Sequence, residues 1–578
     1  MKVACIFFTF ILSYFYSNGQ EIFLAKNGHS EYQIVIPEKA TQVEKIASNE
    51  LQKYLRQITG TFIPVVSEFK LRRKKEILVG NVRGYRVSVD HEDGILIKTA
   101  KDKLIISGGR RKGVLYSVYT FLEEFLGCRR YTKEVSFIPS NRNLSIANDI
   151  DLSRNPAFDY RNALFEDDID KTFADWHKMN YFFEDRMYPA HSLSWFLPAE
   201  KYFVQHPEYY ALINGKRNPA QVCFSNPDVF KVVKGVLQHE INARPNNKVW
   251  SVSHPDYPFS CSCNLCKPKH DNGNGFIETL LPFVNKMADA FPDKIISTLA
   301  YNQSMLPSKT LKPRKNVEIM FCFTNTNRMQ PLKTANDPQS VACRSALAKW
   351  QQQTANIFIW DYAANYFHSM SPFPNWSTYQ DNIQFFRSLS IKQVFEQGTG
   401  RQKSEFSELR SYLLAKLLWN PELDVDNTIN EFLNAYYGPA SGYLKKYLDL
   451  ISKFARAGSS AVPITEYSSP LAARQTYLSN QHLRDYNQIF DSAERAVKDN
   501  RTFLNRVKKE RLALSYAEIE IGKENLKRQK NITSTAALQN KVASFSANAK
   551  LLGVSFLSFG ERSPDQYKMQ TFSEINSK

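Results

Sequence analysis

Residues 356–400 narrow the fold most. Ile357, Phe358, Ile359 and Trp360 form a short apolar run that stops on Asp361. Ile383, Phe386 and Leu389 then recur at helical spacing, and a second run, Ile391, Val394 and Phe395, stops on Glu396. Short apolar runs on either side of an amphipathic helix spell a βαβ unit, because strands buried on both faces need no polar alternation. In a (β/α)₈ barrel the carboxyl ends of the strands build the active-site face, so a carboxylate just past a strand reads as catalytic. Two of them on neighbouring strands are what glycoside hydrolysis by paired carboxylates requires. Glu396 and Asp361 are therefore the expected catalytic residues. Asp256, on a loop between Pro255 and Pro258, competes for the second place, although Asp is also an ordinary turn former there.

The same alternation of strand and helix runs through residues 151–402. Barrel strands are expected near Tyr160–Phe165, Tyr181–Phe183, Val249–Ser253, Ile295–Ala300, Val317–Phe323, Ile357–Trp360 and Ile391–Phe395, with an eighth around His191 or Tyr210–Ile213. Helices are expected over Val229–Asn242 and Phe276–Ala290. Before the barrel, residues 20–150 read as an α+β domain: EYQIVIP and EILVG are strands, and Val43, Ile46, Ala47, Leu51, Tyr54, Leu55 and Ile58 mark one face of a helix that stops at Gly60. After about Glu405 the strands vanish, and residues 403–578 read as a helical domain. The expected class is thus α/β, a (β/α)₈ TIM-like barrel between an N-terminal α+β domain and a C-terminal helical domain.

Residues 1–19 carry Lys2, an apolar run over Val3–Tyr16 and the small or polar Ser17, Asn18 and Gly19, the pattern of a secretory signal. A secreted or periplasmic protein without a membrane span is expected. The net charge of +18 over 578 residues favours an anionic partner. No RNP, helix-turn-helix or zinc-finger pattern is present and the basic residues are scattered, so an acidic polysaccharide ranks above nucleic acid. Phosphate-loop, dinucleotide, HExxH and G-x-S-x-G motifs are absent, which removes support for cofactor-dependent, NTP-driven, zinc-protease and esterase chemistry. No cofactor is expected.

Arg161 falls inside the first strand, where a guanidinium must be paired. A sugar carboxylate is one partner and a protein carboxylate another. His191, Tyr301, Asn302, Trp360 and Tyr362 are the expected substrate contacts, through hydroxyl hydrogen bonds and ring stacking. Glu166, Asp167 and Asp168 read as a solvated loop. Cys261, Cys263 and Cys266 make a C-x-C-x-x-C pattern close to His254 and His270. Three thiolates with one imidazole or a fourth cysteine would complete a structural zinc site. An exported chain instead favours a loop-bracing disulfide, although seven cysteines after the signal forbid complete pairing.

At the level of whole stretches the wording is familiar. NELQKYLRQITG with EILVG and GVLYSVYTFLEEFLGCRRY resembles the N-terminal domain that precedes the barrel in bacterial alpha-glucuronidases and beta-N-acetylhexosaminidases. HPEYYALINGKR, QVCFSNPDV, SVSHPDYPFSCSCNLC, WDYAANY and AKLLWNPELDVDNTINEFLNAYYG look like a family of exported bacterial proteins in which that module precedes a glycoside-hydrolase-like barrel. The resemblance implies a glycoside hydrolase on an acidic polysaccharide, alpha-glucuronidase-like; the alternatives are a glycan-binding protein on a degenerate barrel and a hexosaminidase-like enzyme. Related hexosaminidases carry adjacent Asp-Glu after the fourth strand. The corresponding stretch here, Ser253-His254-Pro255-Asp256-Tyr257, has no Glu, which argues against that last reading.

Overall fold

The computed structural model describes residues 21–576 apart from 183, 185, 189, 460–461, 529–531, 559 and 561. The signal segment, residues 1–19, and Phe183 lie outside the described residues. The chain divides into two compact units, the first holding residues up to Arg130 with Ser136–Pro156, the second Tyr131–Val135 with Ala157 onward.

In the first unit a mixed sheet of six strands runs in the order Asp151–Arg154, Ile95–Ala100, Lys103–Gly108, Glu76–Val79, Gln33–Ile36, Val65–Ser67. Helix Gln42–Thr59 starts on a capping box, in which Thr41 Oγ1 accepts from Glu44 N–H and the Glu44 carboxylate accepts from Thr41 N–H. It ends where Gly60 turns left-handed at φ 78°. Ala47, Leu51, Leu55 and Ile58 are buried on its inner face.

The second unit is organised on a parallel sheet whose strands, in chain order, are β1 (Tyr160–Phe165), β2 (Arg186–Met187), β3 (Val249–Ser251), β4 (Ile295–Ala300), β5 (Val317–Cys322), β6 (Ile357–Tyr362) and β7 (Gln393–Gly400). Their spatial order is β1-β7-β6-β5-β4-β3-β2, so the first strand lies beside the last. Asn180, on the chain between β1 and β2, is tied to β1: its N–H donates to Arg161 O at 2.8 Å while its Oδ1 accepts from Arg161 N–H at 2.8 Å. Side chains from both ends of the sheet meet in one layer. Arg186 of β2 donates both guanidinium arms to Glu318 of β5 at 2.6 and 2.8 Å and lies 4.4 Å from the Phe358 ring centre and 5.2 Å from that of Tyr160. Ser297 of β4 and Gln393 of β7 donate to the same carboxylate. Burial alone would push the Glu318 pKa up; Arg186, Ser297 and Gln393 more than reverse it and keep the group ionised. Six of the seven strands therefore supply this layer, which requires strong curvature of the sheet.

Strand alternation gives the sheet two apolar faces. Ala163, Phe165, Ile296, Ile319, Phe321, Ile357, Ile359 and Val394 pack with helix residues such as Val284, Leu347, Trp350, Ile383, Phe386 and Leu413. Tyr160, Leu299, Met320, Cys322, Phe358, Tyr362 and Phe395 form a separate inner cluster. Gly398 marks a tight approach on β7, since a Cβ there would lie 2.4 Å from Leu164 O on β1. This is the β1–β7 seam, where the register shifts between Ala163 and Phe165.

Three expectations need correction. Tyr210–Ile213 pairs antiparallel with Lys216–Val222 as a separate hairpin, and His191 sits in a loop, so seven strands rather than eight form the parallel sheet among the described residues. Arg186–Met187 is the strand beside β3, a few residues beyond the expected Tyr181–Phe183. Residues 166–168 are not a solvated loop: Asp167 and Asp168 are buried, Asp168 accepts from Phe165 N–H and Ser411 Oγ, and Glu166 pairs with Lys133 and Lys403. The helices from Ser407 onward belong to the same compact unit as the sheet. No described helix is long and apolar enough to cross a membrane.

Candidate functional site

At the carboxyl ends of the strands lies a cavity of about 490 Å³. Its polar lining is His191, which follows β2, Asp256, which follows β3, and Gln397 of β7. Its aromatic lining is Tyr301 after β4, Trp360 and Tyr362 on β6, Tyr366 and Phe367 just beyond, and Tyr467 from the helical region. Leu299 and Cys322 close it from β4 and β5. Six strands thus contribute to one cavity at the end of a parallel sheet where ligands bind in such folds.

Backbone strain gathers in the same loops. Tyr188 and His191 after β2, Asn302 after β4 and Asn325 after β5 all hold left-handed φ between 49° and 57°, a conformation that non-glycine residues rarely adopt. His191 is fixed by a 2.9 Å hydrogen bond between its Nδ1 and His254 O. A carbonyl only accepts, so Nδ1 is the donor in this bond, and Nε2 is left for other contacts. The ring of Tyr301 lies 6.0 Å from that of His191. His254 itself is buried, contacts Pro255 O and Ser304 Oγ, and is pushed down to a pKa of about 4, by burial first. It stays neutral and acts as a rigid post for His191.

Trp360 Nε1 donates to Gln397 Oε1 at 2.7 Å, and Tyr366 OH donates to Gln397 O at 2.8 Å, which lock both rings to β7. Burial raises the pKa of Tyr301, helped by Tyr467 and Asp256, and raises that of Tyr362 well above the ordinary phenol value. Both remain hydrogen-bond donors. Burial also raises the Cys322 thiol, which leaves it a neutral apolar wall rather than a nucleophile.

The expected catalytic pair is not at this cavity. Asp361 and Glu396 are neighbours in register on β6 and β7, both 2% exposed. They share the parity of Ile357, Ile359 and Val394, the residues that face the helices, while Trp360, Tyr362, Phe395 and Gln397 face inward. The reason is strand length: β6 runs to Tyr362 and β7 to Gly400, so each acid lies inside its strand and obeys the alternation. Arg328, from the segment after β5, pairs with Asp361 and, at 3.2 Å, with Glu466, whose other oxygen accepts from Asn325 N–H and Thr324 Oγ1. Burial, and then the Asp361 charge, push the Glu396 pKa well above the ordinary carboxylate value and so favour its protonated form. The cluster anchors Glu466 and hence Tyr467, one residue on, at the cavity wall.

Arg161 likewise faces outward. Its Nε donates to Lys178 O and its Nη1 to Phe158 O, with the Trp419 ring 5.4 Å away. Asn302 is exposed beside Tyr301 and is not among the residues lining the cavity. The structure does bring Asp256, His191, Tyr301, Trp360 and Tyr362 together. Sequence reasoning missed Gln397, Tyr366, Phe367 and Tyr467. Tyr366 and Phe367 directly follow the WDYAAN run, six and seven residues beyond the recognised strand end at Trp360, but nothing in the sequence ties Tyr467 to a strand end.

The four sulfurs of Cys223, Cys261, Cys263 and Cys266 lie within 4.8 Å of one another, all buried. The fourth member is Cys223, not His254 or His270; the His270 ring contacts Thr279 Oγ1 instead.

Residues 130–449 match the model of a family described as domain of unknown function DUF4838. The chain belongs to that family. Ahead of it, residues 24–121 match the N-terminal domain of glycosyl hydrolase family 67. Among curated proteins none matches the sequence. A solved structure of a GH115 4-O-methyl-alpha-glucuronidase with specificity for decorated arabinogalactans shares the fold, with a TM-score of 0.56 at 11% identity over 95% of this chain and 80% of that one. A GH138 enzyme targeting pectin rhamnogalacturonan II is a more distant neighbour, with a TM-score of 0.43 at 10% identity over 94% of this DUF4838 member and 79% of that chain.

Proposed function

We propose that the protein is a glycoside hydrolase whose sugar-binding site is the cavity at the ends of β2–β7. The observation that carries this reading is the convergence there of one carboxylate, Asp256, one imidazole, His191, and a set of aromatic rings in about 490 Å³, a size suited to one or two sugar units. The match to a glycosyl hydrolase N-terminal domain supports it, as does the fold shared with an alpha-glucuronidase. The sheet order and the Arg186 layer support closure of β1–β7 into a barrel of the TIM type. A location outside the cytoplasm is part of this reading, and the signal-like pattern of residues 1–19 supports it.

Asp256 and His191 are the proton-handling groups in this proposal: a carboxylate and an imidazole with an open nitrogen can exchange the protons that glycosidic cleavage moves. Trp360, Tyr362 and Tyr301 offer ring faces to the apolar side of a pyranose, and Gln397 and Tyr467 offer polar atoms to its hydroxyls. No Lys or Arg is among the described residues lining the cavity. The +18 charge therefore acts on an anionic chain at long range while the bound unit is recognised through rings and hydroxyls.

The test is turnover on acidic oligosaccharides, including alpha-glucuronides. Asp256→Asn is expected to lose at least about 100-fold in kcat, the usual reach of a general acid or base. Unchanged turnover would remove Asp256 from the chemistry. A second reading, a glycan-binding protein, is favoured by the presence of a single carboxylate in the described lining where paired chemistry needs two. Calorimetry separates the two, since a binder takes up the oligosaccharide and returns it intact.

A further inference from the structure

The cysteine cluster lies in a part of the second unit that the sugar chemistry does not use. Cys223 follows the hairpin Tyr210–Ile213/Lys216–Val222, and Cys261, Cys263 and Cys266 follow in the long loop after β3. Cys223 Sγ lies 3.7 Å from both Cys263 Sγ and Cys266 Sγ. Zinc–thiolate bonds of about 2.3 Å in a tetrahedron put the sulfurs about 3.8 Å apart. A disulfide would instead draw them together in pairs to about 2 Å, and pairwise bonding gives no reason for four sulfurs to share one 4.8 Å neighbourhood.

The surroundings suit thiolates. Leu212 N–H donates to Cys261 Sγ at 3.3 Å, the kind of outer hydrogen bond that orients a metal-bound ligand. The Cys263–Cys266 segment is a tight turn, closed by Cys266 N–H and Lys267 N–H donating to Cys263 O. Apart from the sulfurs, this satellite core buries only Ala211, with Leu212 and Ile213 half-buried against it. That is too little apolar surface to hold a hairpin to a loop of this length. The joint matters for the cavity, because the hairpin also holds the Asp256 loop: Asn218 Nδ2 donates to Tyr257 OH at 3.0 Å and Gln221 Nε2 to Tyr257 O at 3.3 Å.

We propose that Cys223, Cys261, Cys263 and Cys266 bind one structural Zn²⁺ that staples the hairpin to the loop carrying Asp256. Four protein ligands leave no open position, so the ion is structural rather than catalytic. On binding, the four thiols release four protons to solvent, and the site carries a net charge of −2 next to Lys267 and Lys269. The proposal is independent of the sugar chemistry.

The experiment uses the full chain, expressed without added chelator. Elemental analysis is expected to give about one zinc per chain, and X-ray absorption four sulfur neighbours at about 2.3 Å. Cys263→Ser with Cys266→Ser is expected to lose the zinc and to open residues 209–275 to protease. Should that variant fail to fold, Co²⁺ exchanged into the wild-type protein reads out the site by its thiolate charge-transfer bands. Zinc absent with the cysteines joined as disulfides by non-reducing mass analysis would overturn the proposal. So would zinc held by nitrogen or oxygen and retained in the double serine variant.

Discussion

Glu396→Gln separates structure from chemistry at the most acidic-looking position of the chain. Glu396 is 2% exposed beside Asp361, which Arg328 holds by a buried ion pair. Its raised pKa means that the native state keeps a proton that the unfolded chain releases near 4.5. For an acid raised in this way, the stability is fully present below the unfolded value and is lost as pH climbs above it. Each pH unit over which the native state alone holds the proton costs about 1.4 kcal/mol. Glutamine has the shape of the protonated acid and does not titrate. The variant should match wild type near pH 4.5 and exceed it at neutral pH, by about 1.4 kcal/mol for each pH unit over which the wild-type native state alone holds the proton. Urea midpoints measured at the two pH values, with m unchanged, report the difference. Turnover should be unaltered, because the side chain faces the helices. A variant less stable than wild type at pH 7, or one that loses turnover, refutes the reasoning and returns Glu396 to the active site.

Arg328→Met removes the guanidinium that pairs with both Asp361 and Glu466 and should destabilise the protein by about 3–5 kcal/mol, read by urea unfolding. Gly398→Ala would place a Cβ 2.4 Å from Leu164 O at the β1–β7 seam. A cost of about 1–3 kcal/mol in unfolding free energy is expected, and an unchanged urea midpoint would refute the close approach at this seam. If the net charge of +18 draws in an anionic glycan, KM should rise with salt while kcat stays constant, since added ions shorten the Debye length from about 10 Å at 0.1 M; a KM that ignores salt removes the electrostatic part of the proposal.

The sheet was legible because its signal is local. Short apolar runs separated by amphipathic helices announce parallel strands wherever they occur, and β1, β4 and β5 start where those runs start. Helix Gln42–Thr59 was legible for the same reason, with its face and its Gly60 stop both written in the sequence. The eighth strand was not. Tyr210–Ile213 has the composition of a strand, but the Asn214-Gly215 turn behind it closes a hairpin, where Asn214 and Gly215 both hold positive φ. Local turn chemistry won over the expected barrel count.

The site was legible in its residue types and misread in its faces. A strand buried on both sides is apolar at every position, so the sequence does not say which parity looks toward the ligand. Ending β6 at Trp360 placed Asp361 beyond the strand and free to face the mouth; two further residues of ladder give it the direction of Ile359 instead. The same two-residue period carries Glu396 outward with Val394 and brings Gln397 inward with Phe395. Arg161 follows the rule on β1, sharing its face with Ala163 and Phe165, and its charge is met by carbonyls rather than by a sugar. Candidates on loops escaped this error, because a loop has no parity to misjudge: His191, Asp256 and Tyr301, chosen for their chemistry, line the cavity, while Asn302 beside Tyr301 does not. The acid on the loop is therefore a better catalytic candidate than the acids on the strands, and comparing Asp256→Asn with Glu396→Gln decides between them in one experiment.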